Sequence, residues 1–227
     1  MLNPHKKVIA SRSPDYWWEV RHQSKLQELK QIETGPDILL IGDSITHVWE
    51  EAMGSDIHAK KIWDDLFSDY QTYNIGYCGD GTENVLWRLQ NGEIDGISPQ
   101  VAILLIGTNN TGLRQDSAQE TAVGIHSIIN ELHLRLPKTR ILLMAIFPRT
   151  DNAEFHKVNT EINRIIQAQY TRSDRVHYLD INNNFCEEKT REFTCGMLPD
   201  GLHLAEEGYR IWAEAMKPVL IELLHTN

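Results

Sequence analysis

Three residues in this chain have the types and spacing to attack a carbonyl carbon together: Ser44, Asp200 and His203. Ser44 closes the triplet "GDS", residues 42–44, directly after the apolar run "ILLI". Asp200 and His203 lie three apart in "DGLHL", with Gly201 between them to permit a sharp backbone. A carboxylate at that spacing can turn back and accept the imidazole Nδ1–H. That fixes the tautomer and leaves Nε2 to take a serine proton. Each residue also has an ordinary structural role open to it. Ser44, Asp43 or Thr46 could cap a helix, Asp200 could serve a turn, and His203 could start a helix. The hydrolase elbow G-x-S-x-G is absent, because Thr46 stands two past Ser44.

Acyl transfer also needs donors for the developing oxyanion, each worth roughly 2.7–4 kcal/mol. Three are available: the Ser44 N–H, the N–H of Gly79 in "NIGYCGDG", and the side-chain amide of Asn109 in "GTNN". Glycine lets the backbone approach a substrate closely, although Gly and Asn are also common turn residues.

These residues must be held by the elements around them. Short apolar runs recur at Ile38–Ile41, Thr72–Ile75, Val101–Ile106, Ile141–Phe147 and Val176–Leu179. Several are continuously apolar, as strands buried on both faces are. Helical stripes lie between them. One runs Ala118, Ala122, Ile125, Ile129, Leu132 and Leu136, and Pro137 stops it. Others run from Asn152 to Thr171 and from Tyr209 through Leu223. The alternation predicts an α/β fold: a three-layer α/β/α sandwich on a five-stranded parallel sheet. Residues 1–36 are expected to form a leading segment and a helix packed on the outside through Trp17, Val20, Leu26 and Leu29. Ligands in such sheets sit at the carboxyl ends of the strands. "GDS", "GYCGDG", "GTNN" and "FPRT" all follow a strand there, and "LPDGLHL" precedes the last helix.

The bulk composition excludes several classes. The chain has 227 residues and a net charge of −10, with no dense basic block. An acidic chain repels nucleic acid and anionic membrane, and neither is expected as a partner. No stretch approaches the ~20 apolar residues of a membrane span, and the first twenty residues contain no apolar signal-peptide core. With three cysteines and no C-x-x-C, a reducing, cytoplasmic location fits. One domain is expected over 1–227.

Ser44, Gly79, Asn109 and Asp200/His203 occur in the order of the four sequence blocks of the SGNH, or GDSL-type, esterase superfamily, and the chain resembles that family. "NIGYCGDGTENVLWRLQNGEID", "IGTNN" and "IFPR" look like the branch that holds the catalytic subunits of intracellular platelet-activating-factor acetylhydrolase and bacterial sugar esterases. The likeness covers roughly residues 14–224. It implies a flavodoxin-like (SGNH hydrolase) fold, Ser44 as nucleophile, His203 as base and Asp200 as its orienter. The oxyanion donors would be Ser44, Gly79 and Asn109. Ile45, Thr108 and Leu202 would line a small acyl pocket that takes acetyl and rejects long chains. Cys78 departs from the family, where glycine is common.

The resemblance therefore implies hydrolysis of a short-chain O-ester through an acyl-enzyme, with no cofactor. The ester would be a small molecule, first of all an acetylated carbohydrate. A platelet-activating-factor-like phospholipid is the second choice, and a lysophospholipid or thioester the third. Relatives often pair, so a homodimer is one expectation. Outside this class, the same cleft without turnover would be a carbohydrate-binding module or regulatory subunit. A phosphate-binding receiver-like domain would want an acidic cluster after the first strand, where only Asp43 stands.

Other features read as structural. Cys78 is expected to be a small buried hydrophobe rather than a thiol nucleophile. Gly76, Gly79 and Gly81 are not spaced as a dinucleotide fingerprint, and no H-E-x-x-H or tight Cys/His cluster suggests a metal. Trp87 and Arg88 read as a buried tryptophan beside a surface ion pair. Trp17, Trp18, Arg21 and His22 could stack a sugar ring or pin the first helix, and packing is the expected role. Arg149 in "FPR" ends strand four near the expected site, with a structural role and a substrate contact both open to it.

Overall fold

The computed structural model describes residues 8–32, 35–50, 58–187 and 192–225. In chain order these carry α1 (Tyr16–Gln31), β1 (Ile38–Gly42), α2 (Ser44–His47), α3 (Ala59–Phe67), β2 (Thr72–Gly76) and α4 (Thr82–Gln90). There follow β3 (Val101–Leu105), α5 (Thr108–Gly112), α6 (Ala118–Arg135), β4 (Arg140–Met144), α7 (Ala153–Tyr170), β5 (Val176–Leu179) and α8 (Glu206–His225). All neighbouring strands pair in parallel, in the order β2-β1-β3-β4-β5.

The apolar runs form strands because both faces of the sheet are covered. Side chains alternate across a strand. Leu39, Ile41, Ala102, Leu104, Ile141 and Leu143 join a core with residues of α4, α6 and α7. Ile38, Leu40, Val101, Ile103, Leu105 and Leu142 join a second core with residues of α3 and α8. Two cores on one sheet make the expected three layers. β3 and β4 end slightly earlier than their apolar runs, because Ile106 and Phe147 already lie in the loops that leave the carboxyl edge.

The leading helix differs from expectation. Residues 1–7, 33 and 34 of the expected segment 1–36 lie outside the described residues. Within α1, Leu29 packs against the core as expected and Leu26 is half-buried, but Val20 faces solvent and Trp17 is largely exposed with its ring beside His47 and Tyr77, while Trp18, Arg21, His22 and Lys25 are buried. Charged groups are tolerated there because each is paired. Arg21 donates to the Gly76 carbonyl and to Glu50, His22 meets Glu93, and Lys25 donates to Glu50 and Glu28. Arg88 likewise forms no surface ion pair. It is fully buried between Asp80 and Glu93, and Trp87 is only partly buried.

Candidate active site

The site lies where the sheet changes direction. β2 sits on one side of β1 and β3 on the other, and a crevice opens beyond such a switch point in flavodoxin-like sheets. The register puts Gly42 level with both Gly76 and Leu105. "GDS", "GYCG" and "IGTN" therefore leave the carboxyl edge side by side. Tyr77 donates its N–H to the Gly42 carbonyl and keeps the first two loops together.

Ser44 begins α2 but does not cap it. Asp43 takes that role, accepting the Ile45 N–H at 3.0 Å. The Ser44 hydroxyl is left partly exposed, 2.9 Å from His203 Nε2. On the other side of the ring, His203 Nδ1 lies 2.7 Å from Asp200 Oδ2. With Nδ1–H donating to that carboxylate, Nε2 carries the lone pair and accepts from the serine.

The loop that holds Asp200 and His203 is tied to itself. Asp200 Oδ1 accepts the N–H groups of Leu202 and His203, both at 3.0 Å, and Leu198 donates to the His203 carbonyl. Gly201 has φ +67°, and a Cβ there would come within 2.5 Å of Thr150 Oγ1. Its carbonyl accepts the Thr150 N–H at 2.7 Å, which docks the loop on the turn after β4. Burial pushes the Asp200 carboxyl up, but bonds from the His203 ring and the two N–H groups pull it below the usual carboxylate range.

Gly79 occupies the third position of a turn closed by the Asp80 N–H on the Tyr77 carbonyl, with φ +78°. That is the type II requirement for glycine. A Cβ there would meet open space, so it is the backbone conformation that demands glycine. Neither the Ser44 nor the Gly79 N–H donates to an acceptor among the described residues. Asn109 is buried, and its Nδ2 donates to the Asp80 carbonyl at 2.9 Å. An amide nitrogen carries two hydrogens, so one donor remains. Gly79 and Asn109 line one wall of a cavity of about 260 Å³.

The profile of the GDSL-like Lipase/Acylhydrolase family matches residues 40–211. The chain belongs to that family. It is a GDSL-type hydrolase, as the sequence blocks implied. It is 31% identical over 225 residues to the human platelet-activating factor acetylhydrolase IB subunit alpha1, covering 98% of this chain and 91% of the relative. Its fold is shared with a GDSL-like lipase from Bacteroides thetaiotaomicron, at a TM-score of 0.69 and 16% identity over 88% of this chain and 97% of that one. An acetylxylan esterase from Geobacillus stearothermophilus also shares it, at 0.64 and 18% over 86% and 98%.

Around the centre of this GDSL hydrolase, Ile45 and Thr108 are both 3% exposed, and Leu202, next to His203, is half-buried. Arg149 is buried and engaged. It donates to Asp151 at 2.7 and 2.6 Å and to the Thr108 carbonyl at 3.1 Å, so it ties the β4 loop to the "GTNN" loop. Cys78 is partly exposed rather than buried, with Sγ 3.6 Å from His47 Nδ1. Burial, with Arg21 nearby, pushes the His47 ring down to about 3.

Two buried carboxyls lie close to the centre. Burial pushes Asp43 up to about 7, against the pull of the Ile45 N–H. Burial pushes Asp80 up to about 6, against Arg88. Among the described residues, no group of three His, Cys, Asp or Glu side chains is gathered to hold a metal, and no helix is long and apolar enough to cross a membrane.

The sequence pattern alone did not reveal Asp80, Glu93 or the polar face of α1. The signal was present: Trp18, Arg21, His22 and Lys25 fall at i, i+3, i+4 and i+7, one face of a helix. An apolar-only search passes over it.

Proposed function

We propose that the chain is a serine esterase that removes short acyl groups, acetyl above all, from O-esters through an acyl-enzyme. The observation that carries this is the unbroken hydrogen-bonded line from the Ser44 hydroxyl through the His203 ring to the Asp200 carboxylate. His203 Nε2 takes the hydroxyl proton as Ser44 Oγ bonds to the carbonyl carbon. The carbonyl electron pair moves to oxygen, where the N–H groups of Ser44 and Gly79 and the Asn109 amide stabilise it. The intermediate collapses, and the alcohol leaves with the proton from His203. Water, deprotonated by His203, then attacks the acyl-serine and releases the acid. Asp200 orients the ring and stabilises its cationic form.

The leaving alcohol is a sugar hydroxyl in this reading. Support comes from the cavity beside Gly79 and Asn109, whose remaining wall places Ser11, Ser13 and Arg114 alongside Pro14 and Leu113, a mix of polar and apolar surface that suits a sugar ring. A second reading, a platelet-activating-factor-like phospholipid, is favoured by the activity named for the 31% identical human relative. Acetate release from a panel of acetylated sugars and acetyl phospholipids decides between them. Release from sugars is expected. Release from phospholipid alone would move the chain to the second reading, and release from no acetyl ester would overturn both.

A further inference from the structure

Behind the Gly79 turn lies a buried polar cluster that takes no part in the proton transfers above. Asp80 follows Gly79 directly and is 1% exposed. Its Oδ1 accepts the Trp18 indole N–H at 2.7 Å, and its Oδ2 accepts Arg88 Nε at 2.9 Å. Its carbonyl accepts the Asn109 amide. One residue therefore sits between both loop-borne oxyanion donors: peptide-bonded to Gly79 and hydrogen-bonded to Asn109.

The groups that grip Asp80 are themselves fixed. Arg88 donates Nη1 to Glu93 Oε2 at 2.5 Å, and its guanidinium carbon lies 3.9 Å over the Tyr77 ring. Glu93 Oε1 also accepts the Tyr77 hydroxyl at 2.5 Å and lies 2.8 Å from His22 Nδ1. Trp18, Tyr77, Arg88 and Glu93 are fully buried. Trp18 comes from α1 and Arg88 from α4, so two rigid helices meet on one loop residue. Tyr77 anchors the start of this turn, buried and bonded to the Gly42 carbonyl, while Gly79 has positive φ and open space where a side chain would stand, so the far end of the turn is held through Asp80.

We infer that Trp18 and Arg88, acting through Asp80, are positioning residues that aim the Gly79 N–H and the Asn109 amide at the oxyanion. This rests on the reading of those two groups as oxyanion donors. Neither Trp18 nor Arg88 touches the reacting atoms. Donors in a preorganised site lose value steeply with displacement, and a shift of about 1 Å can cost on the order of 10²-fold.

The test is steady-state hydrolysis of p-nitrophenyl acetate by Trp18→Phe and Arg88→Lys, with melting temperature and pH profile measured on each. Trp18→Phe removes the indole N–H and keeps an aromatic ring. It also keeps the test decisive if Arg88→Lys, which leaves Asp80 or Glu93 short of a partner, does not fold. The expected result for folded variants is kcat down roughly 10- to 100-fold, KM unchanged, and the acid limb of the pH profile unmoved, because Ser44, His203 and Asp200 are intact. Wild-type kcat in folded Trp18→Phe overturns the inference, and so does a loss shared by KM and the acid limb. Ser44→Ala, run alongside, separates the two readings. Full activity in that variant overturns the serine-esterase reading itself. An inactive Ser44→Ala beside a fully active Trp18→Phe overturns only the positioning role.

Discussion

The Ser44 hydroxyl stands 2.9 Å from His203 Nε2, although 159 positions separate the two in the chain. Ser44 is fixed by β1 and by Asp43, which frees its hydroxyl by doing the capping. His203 is fixed by a loop that Asp200 folds around it and that Gly201 docks against Thr150. Each half of the pair is built by its own local structure, and the sheet edge brings the halves together.

Asp200→Asn tests the outer half. The amide keeps the shape of the carboxylate but cannot stabilise the imidazolium, and its NH₂ can select the wrong ring tautomer. A loss of about 10²–10⁴ in kcat is expected of the proposed triad. Steady-state rates on p-nitrophenyl acetate measure it, and a change of less than threefold would remove Asp200 from the mechanism.

Asn109→Ala removes one of the proposed oxyanion donors and the bond to the Asp80 carbonyl. A fall of roughly 10²–10³ in kcat is expected. The acid limb of the profile should stay where it is, since the base is untouched. A displaced limb with intact kcat would mean that Asn109 acts on His203 instead.

Much of the fold can be read from the chain because burial on both faces leaves a strand no choice but to be apolar. "ILLI", "VAILLI" and "ILLMAIF" announce such strands without ambiguity, and "GDS", "GTNN" and "DGLH" follow or face their carboxyl ends. Arg88 reads as exposed because a charged residue does so by default, and its burial is tolerable only because Asp80 and Glu93, eight and five positions away, both turn onto it, which no periodic pattern records. Trp17 and Trp18 are adjacent and equally apolar. Which of them turns inward depends on the Asp80 carboxylate, 62 positions away, and no local pattern records that.

Acyl length, in the proposed mechanism, is set by the side chains beside the reacting atoms. Wild-type enzyme should turn over p-nitrophenyl acetate faster than the octanoate. Leu202 is the most exposed of the three expected pocket residues. Leu202→Ala should raise the octanoate-to-acetate ratio of kcat/KM, by about 10-fold if one hydrophobic contact is relieved. An unchanged ratio would place the acyl group elsewhere.

The buried Asp43 carboxyl makes a stability prediction. Its folded pKa is raised from 3.8 to about 7. Between those values the folded state holds a proton that the unfolded state has lost, so this residue's contribution weakens as pH rises from 4 to 7. It is constant above and below that window. The full change is on the order of 4 kcal/mol. Asp43→Asn keeps an oxygen to accept the Ile45 N–H and carries no ionisation cost. Its melting temperature relative to wild type should therefore climb from pH 4 to pH 7 and then level off. Parallel melting curves across that range would contradict the burial argument.

The whole mechanism depends on Ser44 being a nucleophile activated by His203. Labelling with a fluorophosphonate, read by peptide mass spectrometry, reports on that chemistry at the serine itself. One adduct per chain is expected on Ser44, none on Ser44→Ala, and labelling slowed by orders of magnitude in His203→Ala. Equal labelling of Ser44→Ala, or ester hydrolysis by a protein whose Ser44 never takes the label, would refute the mechanism.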